Sequence, residues 1–254
     1  MTTDQNSKTN DRPVPSIASQ LAEVRQHIAE AATAAGREPS SVHLLAVSKT
    51  FGADAVIEAV QAGQTAFGEN YIQEGVEKIQ ALRQWLSDPA QSGQAALEWH
   101  CIGPIQSNKT RLVAENFDWV QSVERLKIAQ RLSEQRPDGL PPLQICLQVN
   151  IDGGTHKSGV SPADALALAQ AVSQLPRLVL RGLMAIPEPA PDAASALAVH
   201  ARTAALLAHI NAVGGLPQPL DTLSMGMSAD LGPAIAAGST MVRVGTAIFG
   251  GRGQ

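Results

Sequence analysis

Eight short apolar runs, alternating with helical patterns, constrain this chain more than any other feature. The runs lie at residues 42–47, 65–67, 99–102, 119–121, 143–149, 182–184, 222–224 and 241–244. Helical periodicity fills 53–62, 72–86, 108–116, 124–135, 162–175, 193–213 and 229–236. Pro162 fits the first position of its helix, with Ser161 as N-cap. A further amphipathic pattern opens at Ser16, repeats through Ile17, Leu21, Val24 and Ile28, and ends at a C-cap expected at Gly36. Strands that alternate with helices build parallel βαβ units, and eight such strands predict closure into a barrel. The 254 residues match the roughly 250 that one such barrel uses. The expected fold is therefore α/β: a single-domain (β/α)8 TIM barrel over residues 16–254, with an additional N-terminal helix. Residues 1–15, rich in Ser, Thr, Asn and Asp and ending at Pro13 and Pro15, read as a flexible tail. An open doubly wound sheet is the competing architecture, but no G-x-G-x-x-G follows the first strand.

Composition narrows the function classes. Charged residues make up 17% of the chain, below the usual ~25%, which argues against disorder and coiled coil. The net charge of −4 gives no electrostatic footprint for nucleic acid. No uninterrupted apolar run reaches the roughly 18 residues of a membrane span, and the polar N-terminus has no secretory h-region. The expectation is a cytoplasmic protein. Cys101 and Cys146 each sit in an apolar run and read as small buried hydrophobes. No His/Cys/Asp cluster has metal-ligand spacing. Neither a G-x-S-x-G motif nor a Cys/His pair points to acyl transfer.

In a barrel of this kind the chemistry sits at the C-terminal ends of the strands. The first strand ends LLAVSKT, which makes Lys49 the one lysine of six that caps an apolar strand. At a low-dielectric rim its ammonium form is disfavoured, which is what a Schiff-base lysine needs; the competing reading is a lysine that snorkels to solvent. Strand ends also supply Asn70, His100 and Met184. Asn70 and His100 sit on adjacent strands, where either can stack on or bond to a ligand, although a lone histidine equally reads as a satisfied structural residue. The loops after strands seven and eight commonly hold phosphate in such barrels. Here they read Ser224-Met225-Gly226-Met227-Ser228 and Gly245-Thr246, glycines and hydroxyls that suit an anion, or else two ordinary turns. Arg243 shares a strand face with Gly245, as Lys49 does with Val47 and Leu45. A buried arginine there needs a partner, either a carboxylate or a ring nitrogen of a bound cofactor. A phosphate site, a Schiff-base lysine and an arginine in one cavity together point to pyridoxal 5′-phosphate. Lys157, in a glycine-containing loop, is a candidate guard of the mouth or a solvated loop lysine.

These segments resemble the pyridoxal-phosphate homeostasis family, the YggS-like or proline-synthetase-co-transcribed proteins. The matching stretches are AVSKT (46–50), FGENYIQEG (67–75), EWHCIGPIQSNK (98–109), RGLMAIP (181–187), LSMGMSAD (223–230) and AGSTMVRVGTAIFG (237–250). Together they cover nearly everything from about residue 17 onward. The segment around Thr155 and His156 matches only in its Lys-x-Gly, so the resemblance carries no role to those two. It implies a barrel like the N-terminal domain of alanine racemase, with the cofactor on Lys49 as an aldimine. It also implies phosphate contacts from Ser224–Gly226, Gly245 and Thr246, and Arg243 beside the pyridine nitrogen. The resemblance further implies that members bind the cofactor and maintain vitamin B6 and amino-acid pools, without established turnover.

The resemblance leaves three readings. A carrier holds the aldehyde and delivers it to pyridoxal-phosphate-dependent apo-enzymes. An amino-acid racemase or lyase needs a second acid–base group, for which His100 or Lys157 is the candidate. A Schiff-base aldolase uses Lys49 on a phosphorylated sugar. An arginine beside the pyridine nitrogen weakens the ring as an electron sink, and Tyr71 is the only tyrosine. Both favour the carrier, as does a length that eight units and a leading helix use up; a monomer is expected because no additional dimerising domain is visible.

Overall fold

The computed structural model describes residues 15–154 and 158–251. Eight parallel strands close into a barrel in chain order: β1 (His43–Val47), β2 (Ala66–Glu69), β3 (Glu98–Cys101), β4 (Trp119–Val123), β5 (Leu143–Val149), β6 (Leu178–Ala185), β7 (Thr222–Ser224) and β8 (Met241–Val244). Pairing of β8 with β1, from His43 opposite Met241 to Ala46 opposite Val244, shuts it. The expected (β/α)8 barrel is the observed one. The outer helices are α2 (Ala53–Gln61), α3 (Ile72–Leu86), α4 (Thr110–Asn116), α5 (Leu126–Gln135), α6 (Ala165–Ser173), α7 (Ala193–Val213) and α8 (Leu231–Ala236), followed by a last turn, α9 (Thr246–Phe249).

The leading helix α1 (Ile17–Ala34) forms where its apolar spacing predicts. Ser16 caps it by accepting from the Ser19 N–H, and Gly36 leaves it at φ 69°, a conformation that costs glycine nothing. Its Leu21, Val24, Ile28 and Ala32 are buried. Arg37 ties its end to α8 and the turn after it through the carbonyls of Ile235 and Ser239, at 2.8 and 2.7 Å.

Two of the boundaries that differ from expectation are structurally informative. The Ser161 hydroxyl accepts from the Asp164 N–H, as an N-cap would, yet residues 162–164 form a turn and α6 proper starts at Ala165. Strand β6 begins at Leu178, well before residue 182. Its register with β5 slips between Leu180 and Gly182, so Arg181 is the extra residue of a bulge. The bulge lets Arg181 reach Asp221 at 2.7 Å and lie 5.1 Å above the Trp119 ring.

Strand alternation splits the core into two layers. Outward side chains such as Ala46, Phe67, Val120, Leu147 and Val244 pack beneath the helices. Inward ones fill the barrel: Leu45, Val47, Ile102 and Met241 form one cluster, and Trp119, Cys146 and Met184 another. Both cysteines are free and buried, and burial pushes each thiol up to about 12. Helix α7 is long and apolar enough to cross a membrane by length and composition. It turns Ala196, His200, Thr203 and Ile210 inward and packs on α8, β6 and β7 as the sixth outer helix.

Candidate functional site

The C-terminal mouth of the barrel holds a cavity of about 530 Å3. Lys49 enters it from β1, Asn70 from β2, and Arg243, Gly245 and Thr246 from β8. Met227, Ser228 and Ala229 close it from the β7 loop, and Ile102 and Ile186 add apolar wall.

The backbone around Lys49 is held on both sides. Before it, the Ser48 hydroxyl donates to Glu69 Oε1 at 2.6 Å, and the Ser48 carbonyl accepts from Lys78 Nζ at 2.7 Å. After it, Thr50 sits at φ 68°, and its N–H donates to Glu74 Oε1 at 2.7 Å. A threonine in the left-handed region persists only where its surroundings hold it. Lys78 joins both clamps, 2.7 Å from Glu69 and 2.9 Å from Glu74. Burial pushes the Glu69 carboxyl up, and the Lys78 ammonium and the Ser48 hydroxyl pull it partly back.

Arg243 is buried beneath the cavity. Its guanidinium donates to the Ser224 carbonyl and hydroxyl, each at 2.7 Å, and to the Ala185 carbonyl at 2.9 Å. Those contacts use three of its five N–H groups. Burial pushes its pKa down to about 10. Asn70 Oδ1 is buried with no hydrogen-bond partner among the described residues. Its main chain passes so close to Gly103 that a Cβ there would lie 2.0 Å from the Asn70 carbonyl oxygen. Gly226, at φ +95°, turns the β7 loop toward the mouth, and a Cβ on it would meet Ala234 Cβ at 2.5 Å. The turn is pinned by Asp230, which accepts from the Met227 N–H at 2.7 Å and pairs with His200 at 2.8 Å.

Of the ten residues singled out from sequence, Lys49, Asn70, Arg243, Gly245 and Thr246 meet in this cavity. The other five lie elsewhere. Ser224 points into the barrel, where its hydroxyl is taken by Gln121 and Arg243. Met225 points outward into the core under the helices, and Gly226 shapes the loop. Met184 is buried against Trp119 and Cys146. His100 is a correction to the expectation that it lines the cavity. Its ring stacks on Trp119 at 5.1 Å, lower in the barrel, bonded to Glu98 and Gln121. Alternation explains it: His100 faces inward, but Ile102, two residues on and just past the end of β3, is the one that reaches the mouth. The β7 loop contributes its second half, 227–229, because the strand ends at Ser224 and Gly226 turns the chain only after that. The clamp of Glu69, Glu74 and Lys78 escaped the sequence reading, because Glu74 and Lys78 at a helical spacing of four look like a surface pair. Lys157, His156 and Thr155 lie outside the described residues.

The match to known proteins bears on this geometry. Residues 19–253 match the family model of the alanine racemase N-terminal domain. A pyridoxal phosphate homeostasis protein from Pseudomonas aeruginosa is 58% identical over 236 residues, 93% of this chain and 96% of the relative. This chain belongs to the pyridoxal phosphate homeostasis family. The solved structure of PipY from Synechococcus elongatus with pyridoxal phosphate bound superposes with a TM-score of 0.77 at 38% identity, over 92% of this chain and all of PipY. Alanine racemase from E. faecalis shares the fold alone, with a TM-score of 0.64 at 18% identity, over 90% of this chain and 58% of the racemase. The family therefore occupies the barrel that the racemases carry as one part of a longer chain.

Proposed function

We propose that this protein binds pyridoxal 5′-phosphate at the C-terminal mouth of its barrel, holds it through Lys49, and serves in intracellular homeostasis of the cofactor. The observation that carries the reading is the convergence of Lys49, Arg243, Gly245 and Thr246 on one cavity. Family membership supports the same ligand, since PipY carries it. The residues present fit the group. Asn70 Oδ1 is an orphaned acceptor, Arg243 has N–H groups to spare, and Ser228, Gly245 and Thr246 supply hydroxyl and main-chain donors at one end. When bound, pyridoxal phosphate supplies an aldehyde to a primary amine and an anion to hydrogen-bond donors.

The work of the chain is to hold and orient. The Glu69–Lys78–Glu74 clamp fixes the main chain on either side of Lys49, so the amine starts from a set direction. Arg243 keeps its proton at working pH, so beside a ring nitrogen it would donate and leave that nitrogen unprotonated. We therefore assign a carrier role without catalytic turnover. Among the described residues that line the cavity, Lys49 and Arg243 are the only ionisable side chains. A racemase or lyase needs a second proton-transfer group on the other face of its substrate, and His100 is buried lower in the barrel. We further assign a cytoplasmic monomer that hands the cofactor to apo-enzymes. Two free, buried cysteines with raised pKa values suit a reducing compartment.

The deciding measurement is the absorbance spectrum of the purified protein given pyridoxal phosphate. A visible band that borohydride fixes, with the added mass mapped to Lys49 and lost in Lys49→Ala, is the expected result. A band that persists in Lys49→Ala removes the lysine assignment. A colourless protein that instead traps a phosphorylated sugar points to an aldolase. Incubation with single-enantiomer amino acids then separates carrier from enzyme, and turnover above that of free pyridoxal phosphate overturns the carrier role. Size-exclusion chromatography with light scattering checks the monomer.

A further inference from the structure

His100 is buried and titratable, and the mouth does not use it. Its partners form a line through the barrel. Nε2 lies 2.8 Å from Oε1 of Glu98, and Nδ1 lies 2.8 Å from Nε2 of Gln121. Gln121 Oε1 lies 2.6 Å from the Ser224 hydroxyl, which lies 2.7 Å from an Arg243 nitrogen. Glu98 lines the cavity at the lower, N-terminal mouth, and Arg243 lines the one at the upper mouth. Side chains from β3, β4, β7 and β8 thus span the barrel interior as one chain of hydrogen bonds.

The chemistry of each group fixes its direction. Burial alone would raise the Glu98 carboxyl, but hydrogen bonding, first of all from His100, outweighs it and holds the group below the usual carboxylate range. An ionised carboxylate only accepts, so His100 donates from Nε2. Nδ1 faces the Gln121 amide nitrogen, which donates to it. The same nitrogen lies 3.1 Å from the Met241 sulfur, a weak acceptor, which fixes that end of the amide as the N–H2 end. The amide oxygen therefore accepts from the Ser224 hydroxyl. The serine oxygen then has only lone pairs left, and it accepts from Arg243. Arg243 has no ion pair among the described residues, so this chain and two main-chain carbonyls are what orient it.

We propose that His100 is a positioning residue: acting through Gln121 and Ser224, it holds the Arg243 guanidinium so that its remaining N–H groups face a hydrogen-bond acceptor of the ligand in the upper cavity. The proposal rests on the assignment of that cavity to pyridoxal phosphate. It gives the buried histidine a role at a site it does not touch, and it makes Gln121 a determinant of ring recognition.

The test uses pyridoxine 5′-phosphate, whose alcohol replaces the aldehyde, so that binding does not depend on Lys49. Gln121→Met removes both ends of the amide at similar volume. With circular dichroism unchanged, it is expected to weaken binding about tenfold, the size of one hydrogen bond to a charged group. Nitrogen-15 NMR of the ligand-free wild type is expected to show His100 as the Nε2–H tautomer, with its Nδ1 resonance moving when pyridoxine 5′-phosphate is added. Ser224→Ala, a smaller change beneath Arg243, repeats the affinity test if Gln121→Met does not fold. Wild-type affinity in a folded Gln121→Met or Ser224→Ala variant overturns the proposal. So does a protonated Nδ1 in the ligand-free wild type, or an Nδ1 resonance that ligand leaves in place. Failure of the wild type to bind either pyridoxal phosphate or pyridoxine 5′-phosphate instead removes the assignment of the cavity, and the tautomer still judges the relay.

Discussion

Lys78 shows how much one buried charge decides. It is 4% exposed and joins Glu69, Glu74 and the Ser48 carbonyl on either side of Lys49. Lys78→Met leaves Glu69 buried without its cation, and breaking a buried pair this way costs about 3–5 kcal/mol. Urea denaturation is expected to show that loss, and Glu69→Gln in the same chain to restore most of it. If Lys78→Met unfolds at the wild-type urea midpoint, the clamp does not hold the strand end. Lys49 itself was legible from sequence, because a lysine at the end of an apolar strand is unusual. Its supports were not, because Glu74 and Lys78 at a spacing of four read as an exposed pair, and only the packing of α3 on the barrel buries Lys78 and half-buries Glu74.

At the scale of elements, the β7 loop depends on two devices. Gly226 occupies a conformation that costs a residue with a side chain, and its Cβ would strike Ala234. Gly226→Ala is expected to cost about 2 kcal/mol or more and to lower the melting temperature. Asp230 holds the loop from below. Burial alone would raise this carboxyl, but the His200 hydrogen bond and the Met227 N–H hold it below its usual value. A depressed acid stabilises the fold above its unfolded pKa, and that share is lost as pH falls through the folded value. Denaturation from about pH 5 to pH 2 is expected to show stability falling less steeply in Asp230→Asn than in the wild type. Equal slopes would mean that Asp230 does not contribute to the acid limb. The glycine was legible in the sequence as a turn; the role of Asp230 was not, because its partner lies 30 residues away on α7.

At the scale of the molecule, α1 is a part of the barrel rather than an appendage. Leu21 has no exposed surface, and the helix packs on α2, α8 and α9. Leu21→Ala is expected to cost about 2–5 kcal/mol, visible as a lower urea midpoint with the pyridoxal phosphate band retained, since the helix lies away from the cavity. Loss of the band in a folded Leu21→Ala protein would couple α1 to the site.

The sequence by itself determined the barrel, its eight strands and the set of strand ends from which the site is built. Alternation with period two and helices between strands leave one closed solution, and the C-terminal ends follow from it. Tertiary structure decided which of those ends meet. Side-chain depth depends on barrel tilt, on the bulge at Arg181 and on where each strand stops, and these are properties of strand pairing that no single run of residues encodes. That is why Lys49 and Arg243 reach one cavity while His100, two residues from the mouth, bonds to Gln121 below it.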